Sequence, residues 1–456
     1  MGTKGDFSVS GSLQFLWSTF IVVVTYWEHF KKFLVGIFLH FALQKNNANM
    51  IVLAALDDIA WLFNLRGSDI SFCPVFFAYA MVSDSFISLF VDREKLTTSC
   101  KEHLNSSLDY CRVQIFPYDD ALKCLRCYVS DNPSWKVWFS PDTSYAFVSS
   151  VSDDRRLEKQ SPVVTAKAVK NSVELAGMRR AHVSRFHSYA VAHCEFLCWL
   201  ENEIVTSDSL TEVSAANKFE KLRQEQQDYV SLSFDTISAT GPNASVVHYL
   251  PQKCPEVRID GENLYLVDSG AQYKDGTTDV TRTIMFDKAT DFQKQCYTRV
   301  LKGHIALATL VFPEDTPGFR LDAVARIALW EVGLNYMHGT GHGIGHFLFV
   351  HEGNICFQHG PLYLPGYYQD EEFGIRIENA YEIIRVQTEN NYRDIGCLSF
   401  KPLTLVPIQT KLLVPEMLTT KEVSDCVCFV LFPYELEDHG RTNVLNWLRE
   451  QTKPIG

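Results

Sequence analysis

The alternation of apolar and polar residues differs between three successive parts of the chain. The first part, residues 1–49, contains a strongly apolar run at 13–27 and a second one at 33–43. A membrane-spanning helix needs about 20 predominantly apolar residues, but serine, threonine and glutamine dilute the first run and no A-x-A cleavage site follows it. We therefore expect an apolar segment of unclear origin, with a membrane anchor or signal as the minor alternative.

The second part, residues 50–164, shows short apolar runs bounded by polar residues. Strands are predicted at 51–55, 75–82, 88–91, 136–139 and 145–148, and a helix at 57–64. Apolar runs of four to eight residues are typical of strands. The pattern predicts a small α/β domain.

The third part, residues 165–456, begins with helical periodicity and then mixes strands with helices. Helices are predicted at 166–176, 190–203, 214–227, 291–310 and 321–332, and strands at 245–249, 263–267, 278–285, 347–350, 374–377 and 403–408. The pattern predicts a sheet-rich α+β domain with flanking helices.

Composition and charge narrow the class of protein. Of 456 residues, 46% are hydrophobic and 21% charged, which suits two or three packed cores and argues against extensive disorder. A net charge of −12 disfavours nucleic acid as a partner, because phosphate binding needs clustered Lys and Arg. The 13 cysteines are scattered and odd in number, which fits reduced thiols in a cytosolic compartment.

Two aspartates flank the glycine-containing turn in LVDSGAQYKDGTTDVTR. Asp268 ends an apolar strand and Asp279 opens the returning strand. Carboxylates on adjacent strands of one hairpin can both reach hard divalent cations, but aspartate also often caps turns. This motif alone leaves both interpretations open.

Four histidines fall within a short glycine-rich stretch, HGTGHGIGH followed by VHEG: His338, His342, His346 and His351. Glycine lets the backbone approach a ligand closely and destabilises regular structure elsewhere. The stretch is therefore typical of a functional loop.

A third candidate carboxylate, Glu378, lies on an apolar strand in FGIRIEN. Burying an unpaired carboxylate is costly. A metal ion would neutralise Glu378, and a salt bridge to Arg376 is the alternative.

These motifs together resemble the Xaa-Pro aminopeptidases of the pita-bread metallopeptidase family, of the soluble three-domain type. The resemblance rests on VDSGAQYKDGTTDVTRT, HGTGHGIG, VHEG, PGYY, FGIRIEN and PLTLVPIQTK, and it covers residues 54–409 before resuming near Gly440. It implies an α+β, pita-bread (creatinase/aminopeptidase-like) catalytic domain at 165–456, preceded by a small α/β creatinase-type domain at 50–164. It also implies a metal-dependent aminopeptidase that releases the N-terminal residue from small peptides with proline second.

The metal ligands follow from the same resemblance. Asp268 would hold one metal ion and His342 the other, while Asp279 and Glu378 would bridge both. The family usually carries manganese, so two Mn²⁺ per subunit are expected.

The resemblance also implies catalytic histidines and a setting. His248 matches a histidine that contacts substrate, His351 matches the one that stabilises the tetrahedral intermediate, and His338 is a further candidate catalytic residue. A cytoplasmic homodimer is expected, with a membrane tether through residues 7–43 as the minor alternative.

One metal ligand of the family pattern is missing. The glutamate that precedes Pro-Gly-Tyr-Tyr in the family is Leu364 here, and leucine has no lone pair to donate. The nearest candidate substitutes are Glu352, Asp370 and Glu371. The alternatives to an active aminopeptidase are therefore a catalytically impaired or inactive peptide-binding module and, within the same fold, a prolidase that cleaves dipeptides.

The resemblance is lost abruptly in four segments: 1–49, 183–189, 354–364 and 422–432. Abrupt losses between well-matched blocks are typical of mis-spliced or mis-predicted exons. Sequencing the transcript across these junctions tests that hypothesis.

Overall fold

The structure, a computed structural model, describes residues 22–23, 30–105, 112–182, 189–352, 361–427 and 441–453. The chain divides into two compact units, Met1–Lys167 and Ala168–Gly456. Most of the apolar run at 13–27 and residues 183–188, 354–360 and 428–432 of the divergent segments lie outside the described residues.

The first unit combines short strands with helices. Its strands are β1 (Val22–Val23), β2 (Met50–Leu53), β3 (Leu65–Arg66), β4 (Ala78–Ser83), β5 (Ile87–Val91), β6 (Val113–Phe116), β7 (Val137–Phe139) and β8 (Arg156–Glu158). Its helices are α1 (Phe30–Lys45), α2 (Leu56–Phe63), α3 (Thr98–Asn105), α4 (Ala121–Asp131), α5 (Tyr145–Val148) and α6 (Pro162–Ala168), the last of which ends at the start of the second unit.

Six of these strands form one mixed sheet in the order β6-β5-β4-β2-β7-β8. Strand β2 runs antiparallel to β4 and parallel to β7. Val52, Phe90 and Leu125 of α4 belong to one buried cluster, so α4 covers one face of the sheet. The predicted strands at 51–55 and 88–91 and the helix at 57–64 are confirmed with small shifts at their ends.

The strand predicted at 145–148 is wrong, because these residues form the short helix α5. Phe147 is buried and stacks on Tyr79, whereas Tyr145 is 80% exposed. The alternation that suggested a strand therefore reflects one buried ring in a helical turn.

The second unit has more elements. Its helices are α7 (Ser172–His182), α8 (Tyr189–Thr206), α9 (Glu212–Gln224), α10 (Asp291–Ala308), α11 (Phe319–Trp330), α12 (Thr420–Val427) and α13 (Thr442–Gln451). Its strands are β9 (Tyr229–Leu232), β10 (Ile237–Thr240), β11 (Tyr265–Ser269), β12 (Ala271–Tyr273), β13 (Gly276–Thr277), β14 (Val280–Ile284), β15 (Phe312–Pro313), β16 (Gly341–Gly343), β17 (Pro361–Tyr363), β18 (Gly366–Gln369), β19 (Phe373–Arg376), β20 (Asn379–Val386) and β21 (Cys397–Pro402).

These strands form four small sheets: β10-β11-β14, β13-β12-β9, β15-β21-β20-β17-β16 and β18-β19. Local sequence fixes the long helices, since α10 begins with a capping box between Thr290 and Gln293 that satisfies otherwise unpaired amides. Cys296 and Val300 of α10 and Ile375 of β19 share one buried cluster. Helix and sheets therefore share a core directly beneath the strands that carry the candidate ligands.

Three predicted strands of this unit are wrong. Ser245 is the last residue of a 3₁₀ turn at Gly241–Ser245 that contains a proline, and a bend and a turn follow it. Residues 347–350 contain a bend in which Phe347 has a φ of 50°. Residues 403–408 are not paired as a strand, and the guanidinium group of Arg282 donates hydrogen bonds to the carbonyls of Val406 and Pro407. A side chain thus satisfies backbone groups that a strand would pair with its neighbour.

None of the helices in the described parts of the chain is long and apolar enough to span a membrane.

Candidate metal centre

Asp268 and Asp279 lie on neighbouring strands. Asp268 pairs with Thr281 across β11 and β14, and Asp279 directly precedes β14. The chain leaves β11 through Gly270, where a Cβ atom would clash with the Thr278 carbonyl oxygen, so only glycine permits this close approach. Both carboxylates are largely buried, with exposed fractions of 9% for Asp268 and 4% for Asp279.

Glu378 enters the same space between β19 and β20. Its Oε2 accepts a hydrogen bond from Thr281 Oγ1 at 2.6 Å, and its amide donates to the Thr281 carbonyl at 3.2 Å. Its own carbonyl accepts from Arg282 Nη1 at 2.8 Å. Backbone and side chain of Glu378 are therefore both attached to β14, the strand that follows Asp279.

His342 on β16 completes a cluster of three donors. Its Nε2 lies 3.6 Å from Asp279 Oδ2 and 3.9 Å from Glu378 Oε1, and the ligand atoms of the three residues lie within 4.8 Å of one another. Its Nδ1 donates to the Gly343 carbonyl at 2.8 Å, which leaves the Nε2 lone pair facing the carboxylates. Burial and the neighbouring His351 lower the pKa of His342 to about 4, so the imidazole is neutral, as metal ligation requires.

The three carboxylates repel one another in this buried space. Burial, and then the charges of Glu378 and Asp268, raise the pKa of Asp279 well above its ordinary range. Burial, and then the charge of Asp268, raise the pKa of Glu378 to about 8. Asp268 Oδ1 and Asp279 Oδ1 are buried without a hydrogen-bond donor among the described residues. A divalent cation would relieve the repulsion and use these lone pairs, so the donor set fits hard divalent cations.

Arg376 holds the remaining oxygen of Asp268. Its Nη2 donates to Asp268 Oδ2 at 2.6 Å, and its Nε donates to Thr281 Oγ1 at 3.2 Å. The alternative interpretation of Glu378, a salt bridge to Arg376, is therefore not what the structure shows, because Arg376 pairs with Asp268.

His351 stands beside the cluster. Its ring centroid lies 4.3 Å from that of His342, and the two rings are nearly perpendicular. Burial, and then the charge of His248, lower the pKa of His351. His248 itself is exposed, in the turn after Gly241–Ser245. The structure thus brings His351 to the cluster and leaves His248 at the surface, within electrostatic range of His351.

His338 connects to the centre through a hydrogen-bond chain that sequence reasoning missed. Arg376 Nη1 donates to Tyr368 Oη at 2.8 Å, and that hydroxyl lies 2.9 Å from His338 Nε2. Because His338 Nδ1 donates to the Gly339 carbonyl, its Nε2 accepts from the tyrosine. Tyr368 lies in the quoted PGYY motif, but its role depends on the pairing of β18 with β19, which places it opposite Gly374.

Comparison with known proteins assigns the family. A creatinase/prolidase N-terminal domain matches residues 39–174, and metallopeptidase family M24 matches residues 178–385. Over 439 residues the chain is 43% identical to Xaa-Pro aminopeptidase 1 of Dictyostelium discoideum, with 91% of this chain and 67% of that protein covered. This chain belongs to metallopeptidase family M24. Its resemblance to the Xaa-Pro aminopeptidases is thereby confirmed.

Further relatives support the assignment to family M24. Xaa-Pro aminopeptidase ApepP of Drosophila melanogaster is 42% identical over 432 residues, covering 91% of this chain and 69% of that protein. The chain therefore spans about two thirds of the curated relatives it matches.

Solved structures confirm the fold expected for family M24. The X-prolyl aminopeptidase of Caenorhabditis elegans, described as a cytosolic enzyme with a di-nuclear active site, matches with a TM-score of 0.87 at 36% identity, covering 96% of this chain and 73% of that one. A prolidase of Pyrococcus furiosus, at 21% identity and a TM-score of 0.57, shares the fold. The predicted pita-bread domain preceded by a creatinase-type domain is confirmed.

The strand register shows where Leu364 lies in this M24 domain. Tyr363 pairs with Asn379 on one side, and Gly366 pairs with Arg376 on the other. The two strand pairs keep the same offset, which aligns Leu364 with Glu378 in the short gap between them. The Ile377 amide donates to the Pro365 carbonyl at 3.2 Å, which supports the same alignment. Residues directly opposite each other point to the same face, so this alignment predicts that position 364 faces the centre and offers it only an apolar side chain.

The three candidate substitutes for the missing glutamate are placed elsewhere. Glu352 forms a buried ion pair with Lys170, and Asp370 and Glu371 are exposed at the turn between β18 and β19. Position 364 therefore has no acidic replacement among these three residues.

Proposed function

We propose that this chain is a metal-dependent aminopeptidase that releases the N-terminal residue from peptides with proline in second position. The carrying observation is the cluster of Asp279, His342 and Glu378, with the buried Asp268 beside Asp279, in a chain that is 43% identical to an Xaa-Pro aminopeptidase. The same identity favours an enzyme over an inactive peptide-binding module.

The four candidate ligands fall into two groups that share Asp279. Asp279 Oδ1 and Asp268 Oδ1 are the buried oxygens without a donor among the described residues, while Asp279 Oδ2 faces His342 Nε2 and Glu378 Oε1. Asp279 would thus serve two cations, with Asp268 on one side and His342 on the other. Divalent cations in such a centre supply Lewis-acid activation of water and of the scissile carbonyl.

The surrounding side chains orient the ligands and support charge. Arg376 fixes one oxygen of Asp268, so the other points towards Asp279. His351 lies beside His342 at the edge of the cluster, partly open to solvent, where an imidazole N–H can donate to the oxyanion that forms when a carbonyl becomes tetrahedral. His248 stays the candidate for contact with the peptide, and His338 stays a further candidate catalytic residue.

The cation, the assembly and the compartment belong to the same proposal. Oxygen-rich donors with one imidazole suit manganese among other hard cations, so we infer two Mn²⁺ per subunit. A cytoplasmic location is supported by the description of the Caenorhabditis elegans X-prolyl aminopeptidase as a cytosolic enzyme, and the homodimer is proposed from the family resemblance alone.

The test is cleavage of Ala-Pro-Ala and Ala-Ala-Ala by the purified chain in added Mn²⁺, with cation content measured on the same sample. We expect release of alanine from the proline-second peptide only. Asp279→Asn should abolish cleavage and lower cation content, because it removes the shared charge. Asp260→Asn, at an exposed loop aspartate, is the matched control and should behave as the unmodified chain.

The dipeptide Ala-Pro is assayed alongside, because a prolidase would cleave Ala-Pro and leave Ala-Pro-Ala intact. Unmodified protein that binds cations but does not cleave Ala-Pro-Ala would refute the proposed activity.

A further inference from the structure

The two segments that carry His342 and His351 are joined through their backbones. The Glu352 amide donates to the Gly343 carbonyl at 2.9 Å, which makes a β-bridge between the residues that follow the two histidines. A Cβ atom at Gly343 would clash with the Glu352 carbonyl oxygen. The position of His351 relative to His342 therefore depends on where Glu352 is held.

A buried lysine holds Glu352. Lys170 Nζ contacts Glu352 Oε2, and the exposed fractions of the two side chains are 6% and 1%. Removing two charges from water costs several kcal/mol per ion, and the attraction in the interior often no more than repays that cost. A gain in stability is therefore a weak explanation for the buried Lys170–Glu352 pair. Holding the backbone at Glu352 in place beside the candidate metal centre is a sufficient one.

Lys170 is attached to a rigid frame. It lies two residues before α7, where the side chain of Asn171 accepts hydrogen bonds from the Val173 and Glu174 amides and the side chain of Glu174 accepts one from the Asn171 amide. This reciprocal capping fixes the start of the helix.

Helix α7 is in turn fixed against the hairpin that carries the aspartates. Arg180 makes two hydrogen bonds to Asp275 at 2.7 and 3.0 Å, and a Cβ atom at Gly177 would contact the Asp275 carbonyl oxygen. Asp275 lies in the turn between β12 and β13. The ion pair therefore connects the His351 segment to the same hairpin that places Asp268 and Asp279.

We propose that Lys170 is a positioning residue for His351, acting through the buried ion pair with Glu352 and the bridge from Glu352 to Gly343. The expected effect of Lys170 on turnover rests on the proposed aminopeptidase function. Its expected effect on the backbone bridge between Glu352 and Gly343 does not.

The test compares Lys170→Met with Lys170→Arg, Glu352→Gln and the matched control Lys167→Met. Lys167 is likewise buried, with its ion-pair partner Asp57 in the first unit, so its loss should lower stability without moving the bridge. Hydrogen exchange is measured at the Glu352 amide, and kcat and KM are measured with a proline-second peptide in saturating Mn²⁺. Cation content is measured on every variant.

We expect Lys170→Met to lower kcat about tenfold to a hundredfold, since a small displacement of a reacting group can cost that much. KM and cation content should change little, and exchange at the Glu352 amide should become faster. Lys170→Arg should retain most of the kcat and most of the slow exchange at the Glu352 amide. Glu352→Gln, which keeps the side-chain volume, should change kcat and exchange in the same direction as Lys170→Met but by less. It keeps the test decisive should Lys170→Met not fold.

Unchanged exchange at Glu352 in both Lys170→Met and Glu352→Gln would overturn the proposal, and so would an equal loss of kcat in Lys167→Met. If the unmodified chain cleaves no peptide, the proposed function fails while the exchange measurement still decides the role of Lys170.

Discussion

Replacing Leu364 with glutamate should strengthen cation binding at the His342 side of the centre. The shared offset of the strand pairs on either side aligns Leu364 with Glu378, and opposed residues have Cβ atoms about 4.5–5.5 Å apart on one face. A carboxylate introduced at 364 therefore points into the cluster of Asp279, His342 and Glu378.

The expected gain follows from the charges that this carboxylate would meet. At about 4 Å and an effective dielectric constant of about 20, a carboxylate and a divalent cation attract by about 8 kcal/mol. Repulsion from the neighbouring Glu378 removes about 4 kcal/mol at a similar distance, and desolvation removes roughly 2 kcal/mol more at a half-exposed position. About 2 kcal/mol remains, which is roughly a thirtyfold decrease in Kd.

Isothermal titration with Mn²⁺ on cation-free protein measures the effect directly. Leu364→Gln has the same shape as Leu364→Glu without the charge, so it should give much less of the gain. Equal affinities for Leu364→Glu and the unmodified chain would refute the register argument, because the side chain would then not reach the cluster. A gain of the same size in Leu364→Gln would instead refute the electrostatic part.

Three further predictions concern the surroundings of the centre. His351→Ala should lower turnover about a hundredfold or more with cation content unchanged, and normal turnover would rule out its assigned role. Gly343→Ala should destabilise by about 1–3 kcal/mol and lower activity, because its Cβ meets the facing backbone; Gly339→Ala, where a Cβ meets nothing within 4 Å, should do neither. Burial lowers the pKa of His182 to about 4, so the unfolded chain takes up its proton first as pH falls below about 6.5, and stability should fall by up to about 1.4 kcal/mol per pH unit down to about pH 4. Urea denaturation between about pH 4 and about pH 6.5 measures this dependence of the free energy of unfolding on pH. The same dependence in His182→Asn would show that His182 is not its source.

Long periodic elements of the fold were predictable from sequence, whereas short apolar runs were predictable only in part, since the strands at 51–55 and 88–91 are confirmed and others are not. The helix predicted at 291–310 is α10, because capping residues and helical periodicity agree there. The strands predicted at 145–148 and 403–408 failed for a different reason, since burial alone does not say which group satisfies the backbone. At 403–408 that group is Arg282, which comes from a distant part of the chain.

The candidate ligands were predictable as residue types at a spacing, but their partners were not. Sequence could place Asp268 near Asp279 because one hairpin joins them, and it could count Glu378 as buried. It could not show that Arg376 pairs with Asp268 rather than Glu378, because that choice depends on how β19 packs against β14.

The carboxylates and His342 lie on different sets of strands, so a substitution beside one set should have little effect on the other. The carboxylates are attached to strands that share hydrogen bonds through Thr281, Arg282 and Arg376. These contacts do not involve β17, the strand that precedes Leu364. A change at 364 should therefore alter the His342 side of the centre and leave the Asp268 side in place. If the proposed pair of cations binds, we expect Leu364→Glu to change the affinity of the His342 side alone, which a titration resolves as a change in one of two binding steps.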